Sequence, residues 1–230
     1  MGSQFRECGR RVTDHAVTVW GIGSTRTFRV HWTIAELGIP CTVRSIRSRT
    51  GETRTEEYGH VNPKRKIPTL QHDDFVLSES GAIVAYLTRA FPVPPGFYVP
   101  REPRAQARLD EWVSFASMEL DAHSLYLLRR HRYLPEIYGE APEACESAVE
   151  YFSTQVGAVA ERVPAGGGYL LEDFSIADVL MTTIVDWAIA YDIDLPGRLV
   201  AYRDFTARRP AYRTALRLNF PERFDNEKTA

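Results

Sequence analysis

The sequence predicts an α+β chain of two parts, a small N-terminal α/β domain followed by an all-helical bundle. Three observations predict it. Short β-branched runs alternate with helical patterns up to residue 90. A proline-dense stretch follows, with Pro92, Pro94, Pro95, Gly96 and Pro100, which excludes both a helix interior and a central strand. Beyond it every periodic segment has helical spacing, and no convincing strand follows Leu77.

Val17 to Trp20 is β-branched and aromatic and reads as a strand. Gly21-Ile22-Gly23-Ser24-Thr25 breaks it. A helix follows in which Phe28, Trp32 and Ala35 share one face, Val30, Ile34 and Leu37 lie beside it, and Gly38 closes the end. Thr42 to Ile46 is a second strand, and the charged stretch Arg47 to Glu57 suits a surface loop and a short helix. Ile67 to Gln71 and Phe75 to Leu77 pair as a hairpin around Asp73-Asp74. Glu79 to Ala90 is helical, with Ser78 or Ser80 as its cap. A βαβ unit followed by a ββα unit is the thioredoxin-like plan. In the second half, residues 104–132, 142–163, 175–191 and roughly 197–218 read as helices. The expected divisions are a loose leader over 1–14, the thioredoxin-like domain over 15–90, a Pro-rich linker over 91–103, the helical domain over 104–220 and a tail over 221–230.

Composition narrows the function. The 230 residues are 44% hydrophobic and 25% charged, too apolar for disorder. With 28 basic and 30 acidic side chains the net charge is −2, without the basic excess a nucleic-acid partner asks for. The basic run Arg129-Arg130-His131-Arg132 reads as a solvated helix end. Cys8, Cys41 and Cys145 have neither metal-ligand nor redox spacing, so a reducing compartment is expected. His123 and His131 lack a third ligand, and no metal is assigned. The polar N-terminus has no secretory pattern, and no stretch is long and apolar enough to span a bilayer; a cytoplasmic protein is expected.

Four segments carry chemistry or mimic it. In Asn62-Pro63-Lys64-Arg65-Lys66-Ile67-Pro68-Thr69-Leu70, Pro68 stands at the start of a strand. A trans proline is ordinary there; a cis bond would turn the N–H and C=O of Ile67 outward, where an extended peptide could pair with them. In Leu77-Ser78-Glu79-Ser80-Gly81, a strand gives way to a helix whose open N–H groups suit a carboxylate, with the Ser80 hydroxyl as a further donor and Glu79 facing an ammonium. An ordinary capped helix with an acidic first turn fits the same residues. The turn Gly21 to Thr27 places Ser24 where it could donate to a thiolate. Lowering a thiol from about 8.5 by two units takes roughly 2.7 kcal/mol, and one hydrogen bond to a charged acceptor supplies about 1.5–3. No cysteine occupies this turn, Thr27 standing in the place, which argues against a relay through the protein's own sulfur. Last, Ser175 with Asp178 three residues on is a capping box, with Phe174 and Val179 placed as a hydrophobic staple; it reads as structural.

Together these strings resemble the cytosolic glutathione transferase family over about residues 16–218. The Asn-Pro-x-x-x-Ile-Pro-Thr-Leu string, the Ser-Glu-Ser-x-Ala-Ile run some ten residues later and the Phe-Ser-Ile-Ala-Asp box are each common; in this order and spacing they are specific. The resemblance implies a glutathione site in which Ile67, beside Pro68, pairs with the cysteinyl backbone and Glu79 and Ser80 hold the γ-glutamyl end. Arg65 and Lys66 fall where members contact the glycyl carboxylate. Ser24 falls where theta-like, serine-type members carry the activating hydroxyl. Thr25 is the rival, since some bacterial members use a nearby threonine or asparagine, and Arg26 lies on the same turn. The loop departs from the family in reading Ser-Thr-Arg-Thr instead of a Ser-Pro-Cys type, and the Ser-Ser-Cys signature of zeta-type isomerases is absent. The implied activity is attack of the glutathione thiolate on an electrophilic, moderately apolar small molecule, with glutathione as co-substrate, no cofactor, a homodimer, and no nucleic-acid or membrane partner. A glutathione-dependent disulfide reductase and a non-catalytic glutathione-binding module are the alternatives. For the second-substrate pocket, Trp112, Phe115, Met118 and Tyr126 on the first long helix are candidates, although aromatics at helical spacing also suit a core.

Overall fold

A computed structural model describes residues 16–164 and 167–224; the expected leader and the end of the expected tail lie outside them. Strand β1 (Val17–Trp20) runs beside β2 (Thr42–Arg44), parallel to it, because helix α1 (Thr25–Leu37) carries the chain back across the sheet between them. Strand β3 (Thr69–His72) pairs antiparallel with β1 and with β4 (Phe75–Ser78), giving the order β2-β1-β3-β4. The register sets Val19 against Leu70 and Leu70 against Leu77. Val19 and Leu70 are fully buried, as the alternation of side chains along a half-covered strand requires.

Helix α1 is held at both ends by its own residues. Ser24 caps its N-terminus in a capping box with Thr27, and Gly38 ends it in the left-handed region at φ 63°, where glycine carries no Cβ penalty. A second short helix, α2 (Glu56–Val61), follows a 3-10 turn at Glu52–Arg54, and α3 (Ser80–Ala90) covers the sheet on the same side as α1. The thioredoxin-like order expected from the sequence is the observed one.

The second half is helical: α4 (Pro103–Phe115), a π-helical stretch over Ala116–Leu125, α5 (Tyr126–His131), α6 (Pro135–Tyr138), α7 (Pro142–Val159), α8 (Ile176–Ala190), α9 (Gly197–Thr206) and α10 (Pro210–Asn219). Two local features depart from the sequence reading. The run over 197–218 is two helices, because Pro210 cannot sit in a helix interior and instead opens α10 as its first residue. The run over 104–132 is continuous but changes to i→i+5 bonding midway, which moves every later side chain off the 3.6-residue phase.

Both halves share one apolar core. Val19, Val30, Trp32, Leu70, Ile83 and Leu87 join Leu120, Leu125, Phe152, Ile184 and Leu199 in one cluster of buried side chains. Trp32 is fully buried with Tyr212 packed edge-on 5.0 Å from it, and its indole N–H donates to Glu36 at 2.9 Å. Glu36 in turn receives Nε and Nη2 of Arg209 at 2.7 and 2.8 Å, a fork that ties the start of α10 to α1.

Candidate active site

The turn between β1 and α1 is shaped by two close approaches. Gly21, at φ 119°, lies so near Ile67 that a Cβ there would fall 2.6 Å from the Ile67 Cβ. Only glycine fits this position on both counts. His31 from α1 donates through Nε2 to the Gly21 carbonyl at 2.9 Å; burial pushes its pKa down, so it serves as a neutral pin.

Ser24 follows at the mouth of a cleft between the two halves of the molecule. Its Oγ accepts the Thr27 N–H at 3.1 Å and lies 2.9 Å from the Thr27 hydroxyl. Across the cleft floor the Ile67–Pro68 bond is cis. Among the described residues neither the N–H nor the C=O of Ile67 has a main-chain partner. Beyond it, Glu79 holds φ 72°, a conformation that costs a non-glycine residue about 1–3 kcal/mol and clusters at functional sites. No side chain caps the first turn of α3, which leaves its opening N–H groups free. Ser80 is buried there, its Oγ accepting from Nη1 of Arg29 at 3.4 Å.

An ion-pair cluster stands behind this rim. Asp121, from the π-helical stretch, receives Nη2 of Arg26 at 2.7 Å and Nη1 of Arg29 at 2.9 Å. Burial works to raise its carboxyl, but the Arg29 and Arg26 guanidiniums overcome that and hold it below the usual carboxylate range. Two cations around one carboxylate leave the cluster with one surplus positive charge beside the α3 N-terminus.

Three connected cavities result. One, of about 380 Å³, is lined by Arg26, Lys66, Ile67, Pro68, Glu79, Ser80 and Tyr126, with Arg130 and Tyr138 opposite. Its neighbour, of about 280 Å³, is shared by Ser24, Thr25, Arg26, Arg65, Lys66, Ile67 and Tyr126, with Arg49, Arg54, Arg129 and Trp187 as further walls. The third, of about 520 Å³, starts from Ser24 and Thr25 and runs under Trp187 to Ile189, Leu216 and Phe220. Every residue that the sequence nominated for the glutathione end therefore borders one cleft.

The residues nominated for the second-substrate wall separate. Tyr126 lines the cleft, but Trp112 is buried in the core beneath Arg162, Phe115 packs edge-on against Trp112, and Met118 is exposed outside the cavities. The π-helical stretch between Phe115 and Tyr126 separates them, since a face projected along a regular α-helix does not carry through it. The basic run is an exposed helix end at Arg130 and Arg132, and it also borders the cleft. Arg129 and Arg130 reach into the cleft, Arg129 toward the Trp187 ring and Arg130 over the Tyr138 ring at 4.8 Å. Their spacing from Tyr126, three and four residues, was the available signal, because that spacing shares a helix face. Arg65 borders the cleft yet spends Nη1 on the carbonyls of Arg54 and Thr55, holding that turn in place. Lys64 pairs with Glu79 at 2.8 Å. Of the described cysteines, neither Cys41 nor Cys145 lines the three cavities. Among the described residues no His, Cys, Asp and Glu cluster could hold a metal ion, and no helix is long and apolar enough to cross a membrane.

Fold and site together define a two-domain thioredoxin-like protein of the glutathione transferase fold. Residues 15–89 match the family described as glutathione S-transferase, N-terminal domain. Bovine glutathione S-transferase theta-1 is 36% identical over 102 residues, 44% of this chain and 42% of that one. Mouse glutathione S-transferase theta-3 is 29% identical over 149 residues, 64% of this chain and 61% of that one. In fold, the chain is similar to the theta class glutathione S-transferase from Xanthomonas axonopodis pv. citri, solved with glutathione bound. The TM-score is 0.73 at 24% identity, over 88% of this chain and 97% of that one. Residues 15–89 thus match a glutathione S-transferase N-terminal domain, and the chain as a whole shares the fold of glutathione S-transferases. The matches span about half the length of the curated relatives.

Proposed function

We propose that this protein is a glutathione transferase that binds glutathione along the Ile67 edge, lowers its thiol pKa and directs the thiolate at a small electrophile. The observation that carries the reading is the convergence, on one cleft, of an unpaired Ile67 backbone, the uncapped α3 N-terminus with Glu79 and Ser80, and the Ser24 hydroxyl. In this arrangement the cysteinyl backbone of glutathione pairs with Ile67. Its γ-glutamyl carboxylate meets the α3 N-terminus and Ser80, its ammonium faces Glu79, and Lys66 meets the glycyl carboxylate. Ser24 then donates to the sulfur, so the thiolate is held where the 520 Å³ cavity opens. Thr25 lies on the same wall and is the rival donor. The protein acts without a cofactor and works in the cytoplasm. Two copies associate as a homodimer, for which the exposed Phe75 and Val76 on edge strand β4 offer apolar surface.

The test is the ultraviolet absorbance of bound glutathione as a function of pH. In Ser24→Ala the thiol pKa is expected to rise by about one to two units, the loss of one hydrogen bond to a charged acceptor. Conjugation falls with it, while calorimetric affinity for glutathione changes little. An unshifted thiolate in Ser24→Ala together with a lost one in Thr25→Ala would assign the role to Thr25. No heat of association with the native protein would overturn the proposal altogether.

A further inference from the structure

We infer that the second substrate is an aromatic electrophile bearing a carboxylate, the carboxylate seated on Arg129 and the ring against Trp187. The inference rests on the transferase reading above and names its second substrate. The 280 Å³ cavity is lined by seven Lys and Arg side chains and no Asp or Glu, in a chain whose net charge is −2. Composition therefore does not explain the excess. Most of those cations have employment. Arg26 is held by Asp121, Lys64 by Glu79 and Arg65 by two carbonyls, while the transferase reading assigns Lys66 to the glycyl end of glutathione.

Arg129, Arg49 and Arg54 remain. Among the described residues none of the three makes an ion pair with a carboxylate, and of the three Arg129 alone also borders the 520 Å³ chamber. The groups facing Arg129 are Arg49, Arg26, Tyr126, Tyr191 and Trp187, so no formal negative charge balances it. Burial, then the neighbouring Arg49, push its pKa below the ordinary guanidinium value. A half-buried cation beside two others is costly to hold unless an anion arrives.

Its position says which reactant brings that anion. Arg129 stands at the seam between the cationic cavity and the 520 Å³ chamber, bordering both together with Ser24, Thr25 and Trp187. The transferase reading puts glutathione's carboxylates by Ser80 and by Lys66, neither of which borders the 520 Å³ chamber. Arg129 lies instead on the electrophile's side of Ser24, with its Cζ 6.0 Å from the Trp187 ring centre. A planar guanidinium matches a carboxylate bidentately, and an indole face matches an aromatic ring. In the reaction the sulfur of the thiolate forms a bond to the electrophilic carbon. The carbon–halogen bond breaks and the halide leaves with its electron pair. The thiol proton has already passed to solvent, and the carboxylate is carried unchanged into the product.

The experiment compares 4-(chloromethyl)benzoate with its methyl ester, each rate divided by its uncatalysed rate with glutathione. The native protein is expected to favour the acid in kcat/KM by about tenfold or more. Arg129→Gln is expected to bring the ratio close to one, Arg129→Lys to restore part of it, and Arg49→Gln on its exposed loop to reduce it several-fold. Calorimetry with S-(4-carboxybenzyl)glutathione and its methyl ester reads the same preference without turnover, and raised salt should weaken the acid more than the ester. If the native protein handles acid and ester alike, or if Arg129→Gln keeps the preference, the inference is overturned while the transferase reading stands. If neither probe is turned over and neither conjugate binds, both readings fall together.

Discussion

At the scale of single residues, the behaviour of Ser24 depends on where one proton of Thr27 goes. The Thr27 hydroxyl has two strong acceptors in reach, the Asn219 side-chain oxygen at 2.7 Å and the Ser24 carbonyl at 2.8 Å. With its proton committed to these, the 2.9 Å contact to Ser24 Oγ must be made by Ser24 donating. The Ser24 proton is thus parked on Thr27, and in the proposed reaction it is this proton that the sulfur anion draws away. The cap bond from the Thr27 N–H uses a lone pair of Ser24 Oγ and survives the exchange. Asn219, fully buried at the end of α10, fixes the arrangement from the far side. Its Nδ2 donates to the Ser24 carbonyl at 3.0 Å and its own carbonyl accepts the Gly23 N–H at 2.8 Å. Asn219→Ala is expected to cost about 1–3 kcal/mol of stability, to slow kcat by about tenfold or more, and to move the bound thiol pKa part of the way back to its free value. A thermal melt and a pH titration of thiolate absorbance check this; a full-strength thiolate in Asn219→Ala would show that the turn holds itself. None of it was legible in the sequence, because Asn219 lies 195 residues from Ser24 and only folding brings them together.

At the scale of the elements, the best-read feature was the start of α8. The Asp178 carboxylate accepts four donors: the Leu170 and Ser175 N–H groups at 2.9 Å each, the Ser175 hydroxyl at 3.0 Å and the Tyr202 hydroxyl at 2.7 Å. A capping box was visible from spacing alone, since it is a local pattern; the contribution from Tyr202 on α9 was not, because it is tertiary. Asp178→Asn exchanges an acceptor for a donor among buried donors. It is expected to lower stability by about 2–3 kcal/mol, a fall of roughly 4–12 °C in Tm for a chain of this length. Calorimetric unfolding checks it, and a change under 1 °C would mean the neighbours have rearranged. The same contrast explains the other elements. Strands β1, β3 and β4, helix α1 with its glycine stop and the cleft residues from Ser24 to Ser80 sit on local signals and were readable. The π-helical stretch and the short α6 were not, because no residue type marks a switch from i→i+4 to i→i+5 bonding or a four-residue turn. The residues beyond that switch, Tyr126 and Arg129 among them, border the cleft, on a phase that the spacing of Trp112 and Phe115 does not forecast.

At the scale of the whole molecule, the polar link between the two halves that matters most is the Arg26–Asp121–Arg29 cluster, which joins α1 to the helical domain. Arg29 is fully buried and also donates to Thr183 on α8 at 3.0 Å and to Ser80 on α3, so the cluster couples the domain contact to the rim of the cleft at Ser80. Its response to pH follows from the direction of one pKa. Asp121 titrates lower in the folded protein than in the unfolded chain, where an aspartate has a pKa of about 3.9. The unfolded chain therefore takes up the proton first as pH falls. The stability that the carboxylate contributes is whole above about pH 5 and is lost as pH drops through the folded value. Asp121→Asn removes the negative charge from between two guanidiniums and leaves the buried Arg29 uncompensated, which is expected to cost about 3–5 kcal/mol at neutral pH. The deficit should shrink steadily below pH 4, where the native protein too is losing the charge, so the two acid-unfolding curves converge. Because Asp121 is shielded from solvent, added salt should change the neutral-pH deficit little, unlike that of the exposed Lys64–Glu79 pair. Urea unfolding of both proteins at a series of pH values measures the gap directly. A gap that stays constant down to pH 2 would mean that Asp121 acts by shape and hydrogen bonding alone, without the charge that the two arginines require.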